Sequence, residues 1–200
     1  MENQDENPNN IPGIASLTSP FDVDSALRLA WKAFTDNAVP LILGFVIVAV
    51  ISMVTLGLAG PVMWLGYSAM ALKSVRGEPV EIGDVFSGMS FFFPSLILGL
   101  VIGLGVSLGL LCLVLPGIYL IVIWEWAFFL MADGTKGVGD SLKVSTDISK
   151  SDMSAAFVII LVGMVIDLSG TVVPLGSLIT SPIAMCVSAV AYDRWRKQNG

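Results

Sequence analysis

The chain has 200 residues, 55% of them hydrophobic and only 13% charged, with a formal net charge of -6. Average soluble domains carry about 25% charged residues, so this chain has too little charge to cover a soluble surface. An ordinary soluble enzyme and a largely disordered chain are both excluded, and the class is integral membrane protein. The acidic balance gives nucleic-acid binding no electrostatic footing. Histidine is absent, which removes the commonest general base and metal ligand.

Residues 1–19, MENQDENPNNIPGIASLTS, are polar and acidic, without the positive start and apolar core of a signal peptide. They read as a disordered tail. Residues 20–197 read as one membrane domain. Three long stretches follow the tail: Asn37–Leu72 has no charge, Val85–Ala132 has only Glu125, and Met153–Tyr192 has only Asp167. A membrane-crossing helix needs about 20 apolar residues, so each stretch can hold two. Each is also broken near its middle, at Gly60-Pro61, at Pro116-Gly117, and at Pro174 with Gly176. Such residues stop helices and make turns. The fold expected is therefore all-α, with six transmembrane helices in three hairpins over about 21–76, 80–132 and 136–196. The spans fall near 39–59, 61–76, 93–114, 117–132, 153–171 and 175–194.

Every cation, from Arg28 and Lys32 through Lys73, Arg76, Lys136, Lys143 and Lys150 to Arg194, Arg196 and Lys197, lies outside the three central breaks. Cytoplasmic loops hold the excess of Lys and Arg. Both termini are thus expected inside a bacterial cytoplasmic membrane, with Trp31, Tyr192 and Trp195 at the inner interface. Hairpins that dip in and return would place the cations on the same side, and full crossing is the favoured alternative.

A short similar segment precedes each hairpin: Asp22-Val23-Asp24-Ser25-Ala26-Leu27, Glu81-Ile82-Gly83-Asp84-Val85-Phe86, and Gly137-Val138-Gly139-Asp140-Ser141-Leu142. Their spacing suggests an internal repeat. Ser25, Asp84 and Asp140 are the residue types that cap helix N-termini. Each segment is expected to form an amphipathic helix along the inner surface, an ordinary connector in preference to a docking ring.

Helix association in lipid depends on close backbone approach. Ser95, Gly99, Gly103 and Ser107 make a small-residue stripe four residues apart, with Gly105 and Gly109 beside it. Ser181, Ala184 and Ser188 make a weaker one. Packing within the chain is favoured over a dimer seam. Cys112 and Cys186 read as buried small hydrophobes, and neither a disulfide framework nor a metal site is expected.

Glu125, between Trp124 and Trp126, is the most unusual residue. Acids inside a membrane are costly and mark ion paths, proton relays or ligand sites. The alternative is a neutral acid hydrogen-bonded to a neighbouring helix. Asp167, with Ser169 and Thr171 nearby, reads as a wet helix end. Were the two acids to face one cavity, a cation or proton pathway would follow. Gly137-Val138-Gly139-Asp140 and Tyr192-Asp193 spell the G-x-G-D and Y-D strings of presenilin-type proteases. Both lie at the cytoplasmic boundary and in reversed order, whereas that chemistry needs two aspartates sharing a proton inside the membrane. No nucleophile elbow, phosphate loop or metal-ligand cluster is present, so neither catalysis nor a cofactor is expected.

The run Leu115-Pro116-Gly117-Ile118-Tyr119-Leu120, followed by Gly139-Asp140-Ser141-Leu142-Lys143-Val144-Ser145, resembles uncharacterised bacterial six-helix integral membrane proteins. These carry a Leu-Pro-Gly-Ile turn and then an amphipathic Ala-Leu-x-x-Ser type segment. The membrane domain attached to some glycerophosphodiester phosphodiesterases is similar. The clear match covers about 115–145, and Asp140-Ser141-Leu142 and Glu125 depart from the pattern. The resemblance implies a six-helix module with no catalytic residues of its own, since the phosphodiesterase activity belongs to a separate soluble domain. Two functions remain: a non-enzymatic inner-membrane protein binding lipid, a protein partner or a second copy in envelope organisation, or a small-solute, ion or proton transporter or channel using Glu125.

Overall fold

The computed structural model describes residues 22–134, 137–171 and 175–199. The tail, Lys136 and Pro174 lie outside them. Among the described residues every regular element is helical. In chain order these are α1 (Val23–Asp36), α2 (Ala38–Val54), α3 (Gly60–Arg76), a 3-10 helix (Ile82–Phe91), α4 (Phe92–Cys112), α5 (Val114–Trp124), α6 (Ala127–Ala132), α7 (Val138–Ser151), α8 (Met153–Thr171) and α9 (Ser177–Asn199).

Three helical stretches, Ile82–Cys112, Val114–Ala132 and Met153–Thr171, are long and apolar enough to cross a membrane, and a fourth is obtained if the bent pair α1–α2 counts as one span. Consecutive long helices pack together: α2 on α3, α4 on α5, and α8 on α9. The middle of the molecule is built from α3 and α9, with α6 set against α3. Tyr67 and Met70 from α3, Trp126 before α6, Phe129 within it, and Cys186, Val187 and Tyr192 from α9 lie in one buried core.

Several expected boundaries move. The second break falls on Leu113, whose extended backbone separates α4 from α5. Pro116 and Gly117 instead sit in the first turn of α5. A proline there gives up only an N–H that has no helical partner. Gly60 and Pro61 likewise open α3, and the preceding turn is 55–59. The span expected over 117–132 is two helices, α5 and α6, parted at Glu125 and Trp126.

The three short segments differ from one another. The 14-residue α1 is amphipathic, burying Ala26, Ala30, Ala33 and Phe34 on one side. It meets α2 at 88°, and packs across α9. The second segment is a 3-10 helix, laid along α3. Two glycines permit this. A Cβ on Gly66 would stand 1.8 Å from the Val85 carbonyl oxygen, and one on Gly88 would stand 2.1 Å from that of Val62. The third, α7, is tied to the end of α5: the Ser145 hydroxyl donates to the Ile123 carbonyl at 2.8 Å, and the Ser149 hydroxyl to that of Val122 at 2.8 Å.

The caps are also displaced. Asp22, Glu81 and Gly137 hold the N-cap positions, and Ser25, Asp84 and Asp140 each fall three residues later. Asp22 accepts from the Ser25 backbone N–H at 3.3 Å. Asp84 accepts from the Glu81 backbone N–H at 2.9 Å, within a reciprocal capping box. No side chain caps α7. The small-residue stripe of α4 splits. Ser95 is buried and Gly99 abuts Pro61, but Gly103 faces open space and Ser107 is exposed. Contact passes to the adjacent pair, with Gly105 against Trp124 and Gly109 against Gly117. Cys186 is buried as expected, whereas Cys112 is exposed.

Candidate functional site

Glu125 occupies the break between α5 and α6, and its carboxylate accepts from the Ser188 hydroxyl of α9 at 2.9 Å. Asp167 lies in α8 and accepts from the Ser181 hydroxyl, also of α9. Ser181 and Ser188 are seven residues apart. Two turns of helix separate them, about 10.5 Å along one face. One face of α9 therefore carries two hydroxyl–carboxylate pairs in series, with Ala184 and Met185 between them.

Both pairs line a single cavity of about 470 Å³. Phe45 from α2, Trp64 from α3 and Ile121 from α5 complete much of its apolar wall. Phe45 and Trp64 are held by Tyr67, with ring centroids 6.0 and 6.1 Å away. Among the described residues no lysine or arginine lines the cavity. Asp167 is exposed, and Glu125 is half-buried deeper in. The cavity size is that of a small-molecule site. Its chemistry is apolar walls with two acids and two hydroxyls, which suits a proton or a small cation and repels anions. Among the described residues no group of His, Cys, Asp and Glu has the arrangement of a metal site.

The weaker stripe of α9, Ser181 with Ala184 and Ser188, lines this cavity, so the residues read as helix packing are the hydroxyl partners of the two acids. A second group was not visible in the sequence. Arg76, in the last turn of α3, donates to both oxygens of Asp133 at 2.8 and 3.0 Å, and through Nε to Asp193 at 2.9 Å. Asp133 also accepts from the Tyr192 hydroxyl at 3.0 Å and pairs with Arg196. Lys197 pairs with Asp193 at 2.7 Å. The two carboxylate side chains are only 9% and 6% exposed. Tyr192, expected at the interface, is buried here and stacked on Phe129 at 5.9 Å. The one available signal was positional: Arg76, Asp133 and Asp193 each stand near the end of one of the three expected hairpins.

Two further ion contacts brace the short segments. Lys73 of α3 pairs with Asp84 at 2.6 Å. Arg194 of α9 donates to the Asp22 carbonyl at 3.2 Å and to the Ser25 hydroxyl at 2.8 Å. The Ser25 hydroxyl, which bonds the Asp22 side chain, is the main influence holding that carboxyl below its ordinary value of 3.8.

No family model matches the chain, and neither a curated protein nor a solved structure is significantly similar to it. Nothing in these comparisons links it to the membrane domains of glycerophosphodiester phosphodiesterases.

Proposed function

We propose that the chain is a six-span protein of the bacterial cytoplasmic membrane, folded as three hairpins with both ends inside, that carries a proton or a small cationic solute through the cavity of Glu125 and Asp167. The observation that supports this reading is that both acids line one cavity that, among the described residues, has no lysine or arginine. An ionised acid in apolar surroundings is expensive unless a cation or proton accompanies it. Two acids in series give the charge two places to rest, each steadied by a serine hydroxyl. The chemistry is non-enzymatic and needs no cofactor.

The other reading, binding of lipid or a protein partner in envelope organisation, rests on the short interfacial segments. Two of them support it: α1, through its one-sided burial and its right-angle turn into α2, and α7, which buries Ser141, Ser145, Ile148 and Ser149 on one face.

The test is flux. Purified protein in liposomes is given a proton gradient, then a potassium gradient, and compared with Glu125→Gln and Asp167→Asn. Native flux above protein-free liposomes is expected for one of these ions, falling at least tenfold in Glu125→Gln, a loss of about 1.4 kcal/mol or more in effective binding. Equal flux in native and Glu125→Gln protein would remove Glu125 from the mechanism.

A further inference from the structure

We propose that the buried ion network of Arg76, Asp133, Asp193 and Tyr192 is a gate that shuts the cavity at its α9 C-terminal end. The proposal rests on the reading of the cavity as the working site, and its own observations are independent of flux.

Three walls of the cavity run directly into the network. On α3, Trp64 lines the cavity and Arg76 ends the helix. Along α5 and α6, Glu125 lines the cavity and Asp133 follows α6. On α9, Ser188 lines the cavity, and Tyr192 and Asp193 come one turn later. In all three the network lies on the C-terminal side. On the network side of Glu125 the chain packs as buried aromatics. Trp126, Phe129 and Tyr192 are each at most 2% exposed, and the Phe129 and Tyr192 rings are stacked. The opposite end differs, because Asp167 there is exposed. The cavity is thus open at the Asp167 end and closed at the network end.

The closure is of a kind that can open. Removing an apolar plug alone would need repacking of a dense core. Here the three helix ends are clamped by charge-assisted bonds, whose directional part weakens steeply once donor and acceptor leave alignment. Arg76 is the keystone, since it alone binds both carboxylates. Its bidentate hold on Asp133 fixes α6 to α3, and its Nε bond to Asp193 fixes α9 to α3. The Tyr192 hydroxyl bond to Asp133 couples the aromatic plug to the clamp. When the clamp parts, Tyr192 loses its tether and the plug loses one of its rings. A solute at Glu125 then faces the side on which Lys197 lies. Lys197 itself is peripheral, with a side chain 71% exposed.

The test reads access rather than transport. Cys112 and Cys186 are replaced by alanine, and Ala184→Cys is introduced in the full chain as a reporter inside the cavity. Protein is reconstituted in vesicles, and a membrane-impermeant maleimide is applied from the Lys197 side, which is identified by labelling Lys197→Cys in a parallel preparation. The reporter is expected to react slowly in the otherwise native chain. Its rate should rise at least tenfold with Asp133→Asn, and by a smaller factor with Tyr192→Phe, in line with the loss of charged and neutral bonds respectively. Lys197→Gln should leave it unchanged. Labelling of the reporter from the Asp167 side should stay at the native rate in every variant, which shows that the fold is kept. Should Asp133→Asn fail to insert, Tyr192→Phe, which removes a single hydroxyl, decides. An unchanged rate from the Lys197 side in the folded variants overturns the gate, as does fast labelling from that side in the native chain. Liposomes that pass no ion would overturn the transport reading while leaving this result standing.

Discussion

The central pair, α3 with α9, and the outer helix α4 are built on opposite terms. Helix α3 buries ten of its 17 residues and α9 ten of its 23, whereas α4 buries only Ser95 and Leu98 out of 21. Yet α4 is almost wholly apolar, while α3 carries Lys73 and Arg76 and α9 carries Asp193, Arg194, Arg196 and Lys197. In water that order would be reversed. In a bilayer, lipid tails solvate leucine as well as a protein core does, so apolar side chains give no reason to be buried. Small residues, hydroxyls and paired charges decide what goes inside. Alongside a mostly apolar core, Ser68, Ser74, Ser188 and Asp193 lie inside, while Leu100, Leu104, Leu108 and Leu111 of α4 lie outside.

The comparison can be broken most sharply at Arg76. Changing it to alanine leaves Asp133 and Asp193 buried without their shared partner, which should cost about 3 kcal/mol, the low end for a broken buried pair, because Arg196 and Lys197 remain. A large fall in Tm of the detergent-solubilised protein is expected. Next comes the seam between α3 and the 3-10 helix. Gly66→Ala drives a methyl group into the Val85 carbonyl, and a backbone obstacle cannot rotate away, so a loss of about 1–3 kcal/mol is expected from overpacking. On α4 the effects should shrink. Leu104→Ala, at a side 55% exposed, should stay within about 0.5 kcal/mol, and Gly103→Ala, which meets nothing within 4 Å, should be neutral or stabilise the helix by up to about 1 kcal/mol. A loss at Leu104 as large as that at Gly66 would mean that α4 is packed against a partner in the membrane.

A smaller effect concerns α1. The Asp22 carboxyl is held below 3.8 mainly by the Ser25 hydroxyl. A lowered folded value stabilises above the unfolded one and is lost as pH falls through the lowered value. Protection at the start of α1, taken as exchange relative to the intrinsic amide rate at each pH, should therefore fall only below about pH 4, the ordinary carboxylate range, and Ser25→Ala should weaken this dependence.

Hydropathy made the apolar stretches and their order legible, because charge is rare enough here that each gap stands out. The turns were less so. Pro116 and Gly117 look like a break, but a proline in a first turn breaks nothing, and the chain reverses at Leu113, a residue with no turn chemistry of its own. The 3-10 form of Ile82–Phe91 was hidden for a similar reason: it depends on Gly66, sixteen residues earlier, leaving room beside α3. Glu125 could be singled out because an acid among tryptophans is rare. Its partnership with Ser188, and the meeting of Asp133 with Arg76 across 57 residues, follow from how α6 and α9 lie on α3, which no local pattern encodes.

The claim that Glu125 and Asp167 form one site open to small cations is tested most directly by carbodiimide labelling of Glu125 in reconstituted protein, read by peptide mass spectrometry with and without potassium or acid. Carbodiimide adds to the protonated acid, so labelling at Glu125 that potassium slows or that acid speeds, with either response weakened by Asp167→Asn, is the predicted result. Labelling indifferent to both cations, or insensitive to the loss of Asp167, would contradict it.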